Sequence, residues 1–282
     1  MDDTTGSRTA RAVAVGRAVG VGGQRDAHVA DLLPPADRLA VLVARSVGAG
    51  RARHVLAWAA HPALRMLAVD AAVDEAVMSA HVSTVVVVGA GYDTRAWRLE
   101  SLRGRRVIEV DHPATQAEKR AQLGATEEAL AAVDFVGLDL ASHDLDAALD
   151  DVGHDADRPT VWLWEAVVPY LEAVAVDATL DVLRRRSAVG SRLLMTTVTP
   201  DLFDPPAVGR ALSRPARGLM ARFGEPVLLA ERDAEVAARL ARHGFAHRRV
   251  TGPRRWARDA GIDVLGPTLD ERLHLAERVL SP

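Results

Sequence analysis

A chain of 282 residues, 49 % apolar and 26 % charged, has globular composition and the length for one large core. Its formal net charge of −3 argues against a nucleic-acid partner, which would want a basic face. It has no cysteine, which excludes disulfides, thiolate metal sites and cysteine nucleophiles, and Lys119 is the single lysine among 35 basic residues.

The first residues, MDDTTGSRTARAVAVGRAVG, hold no apolar stretch long enough for a signal peptide. No run approaches the roughly 18–20 apolar residues of a membrane span, so a soluble, cytoplasmic protein is expected. Residues 1–80 are expected to form a helical extension. ADRLAVLVARSV (Ala36 to Val47) and LRMLAVDAAVDEAVMSAH (Leu64 to His81) carry apolar residues at helical spacing, with Pro34–Pro35 and His61–Pro62 as breaks.

From Thr84 the pattern changes. β-branched and apolar runs appear at 84–88 (TVVVV), 105–111 (RRVIEVD), 133–139 (VDFVGLD), 160–164 (TVWLW) and 191–198 (SRLLMTTV). Helical stretches at about 113–123, 142–150 and 172–186 separate them. This alternation predicts one α/β domain with a doubly wound, mostly parallel sheet, its cofactor-binding core spanning 81–198. The irregular, proline-rich stretch at 199–225 fits either a lid insertion over the sheet's carboxyl edge or a plain surface excursion. In the closing segment, 226–282, AEVAARLARHGF (Ala234 to Phe245) predicts a helix stopped by Gly244, and AHRRV a last strand.

Ligands of such sheets bind beyond the carboxyl ends of the strands. Here the first strand ends in Gly89-Ala90-Gly91, the second in Glu109 and Asp111, the third in Asp139-Leu140, the fourth in Glu165. Carboxylates at three successive strand ends must be solvated, paired or bound. An acid after the second strand suits ribose hydroxyls, and one after the third suits the exocyclic amine of adenine. A dinucleotide site wants a third glycine and a helix N-terminus for the diphosphate. The turn reads G-A-G-Y-D-T instead, and Asp93 would repel a diphosphate while accepting from an ammonium. S-adenosylmethionine, which has a sulfonium and an amino-acid end but no phosphate, fits better than NAD.

VVVVGAGYDTRAWRL, EVDHP…K, LDL and EAVVPYL, in that order, resemble the signature stretches of the leucine carboxyl methyltransferase-like family. RMLAVD (Arg65 to Asp70), FGEP and LARHGF add to the likeness, which covers about 65–250. The resemblance implies the class I methyltransferase Rossmann-like fold, S-adenosyl-L-methionine as cofactor and a small-molecule methyl acceptor. It implies that Arg65 pairs with the cofactor's carboxylate and that Gly89, Ala90 and Gly91 let the backbone approach its methionine part. It likewise assigns Asp111 to the ribose, Asp139 and Leu140 to the adenine, and Glu165 to the methionyl amine or the methyl-transfer region. Arg17 is the candidate for the family's N-terminal cationic partner. Ala166 departs from the family's usual glycine, and Pro169 precedes Tyr170.

Plainer roles stand beside these. Arg65 could pair with Asp70 or Glu75 on its own helix, Asp111 and Asp139 could cap the following helices, and Asp93 could brace the turn. Tyr170 could be core, and His81, His112 and His143 could be bystanders. The sequence reading places Glu165 and Tyr170 nearest the transferred methyl, with apolar N-terminal helices and Phe203, Leu219, Met220 and Phe223 around the acceptor. No metal is implied, and no hydrolase triad, HExxH or Walker turn appears. O-methylation of a carboxylate or hydroxyl in secondary metabolism is the expected reaction. C- or N-methylation of a heterocycle such as an indole, and an NAD(P)-dependent oxidoreductase on the same kind of sheet, are the alternatives.

Overall fold

The computed structural model describes residues 8–51, 54–79, 82–123, 128–140, 144–205, 211, 218 and 226–280. Its main sheet is built from β1 (Thr84–Val88), β2 (Arg106–Asp111), β3 (Ala132–Gly137), β4 (Thr160–Trp164), β5 (Arg192–Asp204), β6 (Phe245–Thr251) and β7 (Thr268–Arg278). The strands lie in the order β3-β2-β1-β4-β5-β7-β6. β7 runs antiparallel to both neighbours, and the other pairs are parallel. The doubly wound, mostly parallel sheet expected from the alternation is what forms. Order reverses between β1 and β4, so the crevice at their carboxyl ends is where such a sheet takes a ligand.

The helices are α1 (Arg8–Val19), α2 (Ala27–Asp31), α3 (Pro35–Ser46), α4 (Ala57–Ser79), α5 (Arg95–Arg98), α6 (Pro113–Leu123), α7 (Leu145–Asp151), α8 (Ala173–Arg185), α9 (Asp233–Arg242) and α10 (Pro253–Asp259). The valines of β1 explain why a strand with no polar face forms. Val85 and Val87 join the core on the α4 side, and Val86 and Val88 join the core under α7, α8 and α9. A strand sandwiched in this way needs apolar residues on both faces, each burial contributing about 1.5–3 kcal/mol. Among the described residues no helix is long and apolar enough to cross a membrane.

Three expectations change. The helix foreseen from Leu64 begins at Ala57 and runs through Pro62. Pro62 forfeits one helical hydrogen bond, but its ring packs against α1, where a Cβ on Gly16 would lie 2.7 Å from Pro62 Cγ. Next, the segment assigned to a lid starts as sheet, because β5 continues through Asp204 and pairs Phe203 with Leu269. Pro200 cannot donate to the ladder; the register shifts around it, between Val198 and Phe203, and Leu202 has φ 57°. Most of 206–225, including Leu219, Met220 and Phe223, lies outside the described residues. Finally, the closing segment contains β7, which the sequence reading did not foresee.

The N-terminal helices form a small core of their own on the glycine turn. Ala14, Ala18, Val29, Leu32, Leu33 and Val41 pack around Tyr92. Lys119 is also part of the interior: its ammonium is 1 % exposed, pairs with Glu109 and lies 5.3 Å from the centre of the Trp97 ring. Burial pushes the Glu109 carboxyl up to about 7 despite that partner.

Candidate active site

The turn after β1 folds back on the end of β2. Gly89 N and Ala90 N both donate to Val110 O, at 2.8 and 3.1 Å. Gly89 has φ 73°, and a Cβ there would lie 2.3 Å from Val167 Cγ2, so only glycine fits. Gly91 N donates to the Asp111 carboxylate, whose Oδ1 also accepts from His112 N at 2.6 Å. Burial pushes Asp111 up, and those two backbone N–H groups partly offset it. Each carboxylate oxygen keeps a further lone pair, and the residue stays half-buried at the crevice. Leu138 N donates to Asp111 O at 2.7 Å, which sets the end of β3, with half-buried Asp139 and Leu140, beside it.

A buried ionic chain runs along the other side of the turn. Asp93 braces the turn: its carboxylate accepts from Arg95 N at 2.7 Å and from Arg95 Nη1. Burial raises Asp93, but Arg95, Arg17 and Lys119 together outweigh it and hold the group below its ordinary value. Arg95 also donates through Nε to Asp70 and through Nη2 to Glu165, both at 2.8 Å. Arg98 donates to both Asp70 oxygens, through Nη1 to Oδ2 and through Nη2 to Oδ1 at 2.8 Å, and approaches Asp26 at 3.4 Å. Asp26, fully buried, caps α2 and accepts from Arg17 and Thr94.

At the other end, Arg65 Nε donates to Glu165 Oε1 at 2.8 Å and Arg65 Nη1 donates to Glu271 Oε2 at 2.9 Å. His61 Nε2 is 2.6 Å from Glu271 Oε2. Burial alone would raise Glu271, yet Arg65 and His61 hold it at about 2. Along the chain, Arg17, Arg65, Arg95 and Arg98 face Asp26, Asp70, Asp93, Glu165 and Glu271. Among the described residues this chain sets four guanidinium groups against five carboxylates, with His61 beside Glu271.

The structure thus brings Arg65 and Glu165 into contact, and Gly91 and Asp111 into contact, with Ala90 between the glycines. Arg65 does not pair with Asp70 or Glu75; Asp70 serves Arg95 and Arg98, and Glu75 serves Arg249. Arg17 is turned to Asp26 and Thr94. Tyr170 is half-buried in the turn Val168–Tyr170. His112 accepts from Ala114 N and caps α6, while His81 and His143 lie outside the described residues. Sequence reasoning gave no role to Arg95, Arg98, Asp26, His61 or Glu271. The two arginines stood in plain view in YDTRAWR, but Asp26 and Glu271 carried no local signal.

Ala166, where the family resemblance expects glycine, has φ 58° and donates from N to Thr196 Oγ1 at 2.8 Å. A left-handed alanine costs about 1–2 kcal/mol, more than glycine's extra chain entropy. Ala166→Gly is therefore expected to raise stability by up to about 1 kcal/mol. Urea titration measures it, and a loss of stability would show that residue 166 is not strained.

A sequence model described as leucine carboxyl methyltransferase matches residues 5–184. Two mycobacterial relatives carry the name "putative S-adenosyl-L-methionine-dependent methyltransferase". The one from Mycobacterium avium is 35 % identical over 153 residues, 51 % of this chain and 46 % of the relative. The one from Mycolicibacterium gilvum is 44 % identical over 109 residues, 38 % of this chain and 36 % of the relative. The chain therefore spans less than half the length of these relatives. A solved DUF574-family protein from Streptomyces avermitilis shares the fold with TM-score 0.63 at 17 % identity, over 98 % of this chain and 99 % of that one.

Proposed function

From the premise that the chain belongs to the leucine carboxyl methyltransferase family, we propose that it is an S-adenosyl-L-methionine-dependent methyltransferase acting on a small molecule. The observation that carries this reading is Asp111, held at the end of β2 by backbone N–H groups of Gly91 and His112. Its remaining lone pairs suit two vicinal ribose hydroxyls. Asp139 and Leu140, on the next strand end, would take the adenine. Glu165 would accept from the ligand's ammonium, and Arg65 would donate to its carboxylate.

The same residues count against a dinucleotide. The first N–H of the four-residue α5 is already bonded to the Asp93 carboxylate, which would also repel a diphosphate. When bound, the cofactor supplies a methyl group on a sulfonium sulfur; the protein's part is alignment, worth up to about 7–11 kcal/mol in favourable cases.

Both Glu165 oxygens are engaged by arginines, which makes it a binding group here and leaves Tyr170 as the group proposed to orient the acceptor. His61 and His112 are likewise committed, to Glu271 and to Ala114 N. An acceptor that is already an anion, a carboxylate or phenolate, needs no strong base. O-methylation of such a group is therefore the reaction proposed. A small acceptor fits the closure by α1, whose Ala10 would meet a Cβ on Gly91 at 3.5 Å.

Calorimetric titration tests the reading. S-adenosylhomocysteine should bind at micromolar affinity, about −8 kcal/mol, and NAD should not. Asp111→Ala should cost about 1–3 kcal/mol of that affinity, through two ribose hydroxyls left unpaired. Unchanged affinity in the folded variant would remove Asp111 from the site.

A further inference from the structure

The Arg65 guanidinium is held from two sides. Glu165, at the end of β4, takes Nε, and Glu271, on β7, takes Nη1. β5 lies between those strands, and Glu271 stands opposite its Val198 in the register. Glu271 is 2 % exposed and belongs to a strand outside every motif at the crevice. It is gripped again by His61, four residues before Arg65 on α4, so one helix face presents both partners to it. The His61 ring in turn lies 5.9 Å from the Trp256 ring of α10.

This arrangement keeps the guanidinium split between two carboxylates. Without Glu271, Arg65 would be free to close bidentately on Glu165, the geometry that guanidinium and carboxylate prefer. That closure would take up the Glu165 lone pairs an ammonium needs, and the guanidinium edge a ligand carboxylate needs. We propose that Glu271, steadied by His61, is a positioning residue that holds Arg65 open for the amino-acid end of the cofactor. The proposal rests on the function argued above and adds a residue from the antiparallel strand to it. Glu271 touches neither cofactor nor acceptor; it acts through Arg65.

The test is a split between two ligands titrated into the full chain by calorimetry. S-adenosylhomocysteine carries the amino-acid end, and 5′-methylthioadenosine keeps the nucleoside and sulfur without it. Wild type should bind both. Glu271→Gln should weaken S-adenosylhomocysteine tenfold or more and leave 5′-methylthioadenosine within twofold of wild type. Equal loss of both ligands, or loss of neither, would overturn the positioning role, since a merely structural defect has no reason to distinguish them. Should Glu271→Gln fail to fold, His61→Asn provides the second reading, with the same split at about three- to fivefold. Equal affinities for both ligands in His61→Asn and wild type would likewise overturn the proposal. Wild type binding neither ligand would bring down the functional reading, and this role with it.

Discussion

Arg95→Ala is expected to lower the folding stability of the chain by about 3–5 kcal/mol, the cost of removing one partner from a buried charge cluster. Arg95 is the hub of the ionic chain: its guanidinium serves Asp70, Asp93 and Glu165 at once and is 3 % exposed. The three carboxylates left behind are themselves only 12, 5 and 13 % exposed, so water cannot readily replace the lost cation. A domain of this kind holds only about 5–15 kcal/mol in total, so the variant should melt far below wild type. Arg95→Lys should recover little, because a point ammonium cannot meet three acceptors in the plane a guanidinium spans. Denaturant titration decides the matter. A loss below about 1 kcal/mol, typical of an exposed ion pair, would mean the cluster is solvated.

The second large effect is a pH dependence centred on His274. This side chain is fully buried in β7, where it meets Thr197 Oγ1 at 3.0 Å and the His247 ring at 3.2 Å. Burial lowers its pKa from 6.5 to about 3, and the neighbouring His247 adds to that. A histidine depressed on folding contributes stability that is complete above its unfolded pKa of 6.5 and drains away as pH falls toward 3. From pH 7 to pH 4 the loss is about 3 kcal/mol. Glu109 works against it, since a carboxyl raised to about 7 stabilises the fold as pH drops from there toward 4.5. The informative quantity is therefore the stability difference between wild type and His274→Gln, in which the Glu109 contribution cancels. That difference should shift by about 3 kcal/mol in favour of the variant between pH 7 and pH 4. A pH-independent difference would mean that His274 takes up its proton without penalty.

How much of this was legible depended on whether a residue's partner lay nearby in the chain. TVVVV announced a strand buried on both faces, and the acids at the ends of β2, β3 and β4 stood where a ligand of a parallel sheet would meet them. β7 was hidden because TLDERLHLAER is charged at Asp270, Glu271 and Arg272, which suggests surface. Those charges are tolerated inside because Thr199 and Arg272 answer Asp270 while Arg65 and His61 answer Glu271, partners up to 210 positions away. Asp26 was hidden for the same reason: its partner Thr94 lies 68 positions on. Pro62 suggested a break because the space that admits it is made by Gly16 on another helix.

The solitary lysine has a practical consequence. Apart from the α-amino group at its start, the 282-residue chain offers one primary amine to an acylating reagent, and that amine is 1 % exposed. Folded protein should therefore resist labelling at residue 119, and each molecule labelled there records an event in which Lys119 left its partner Glu109. With reagent in excess under native conditions, the rate of that single modification measures the free energy of opening around the Lys119–Glu109 pair. No engineered probe is required, and a ligand that clamps the crevice would announce itself as a slower rate.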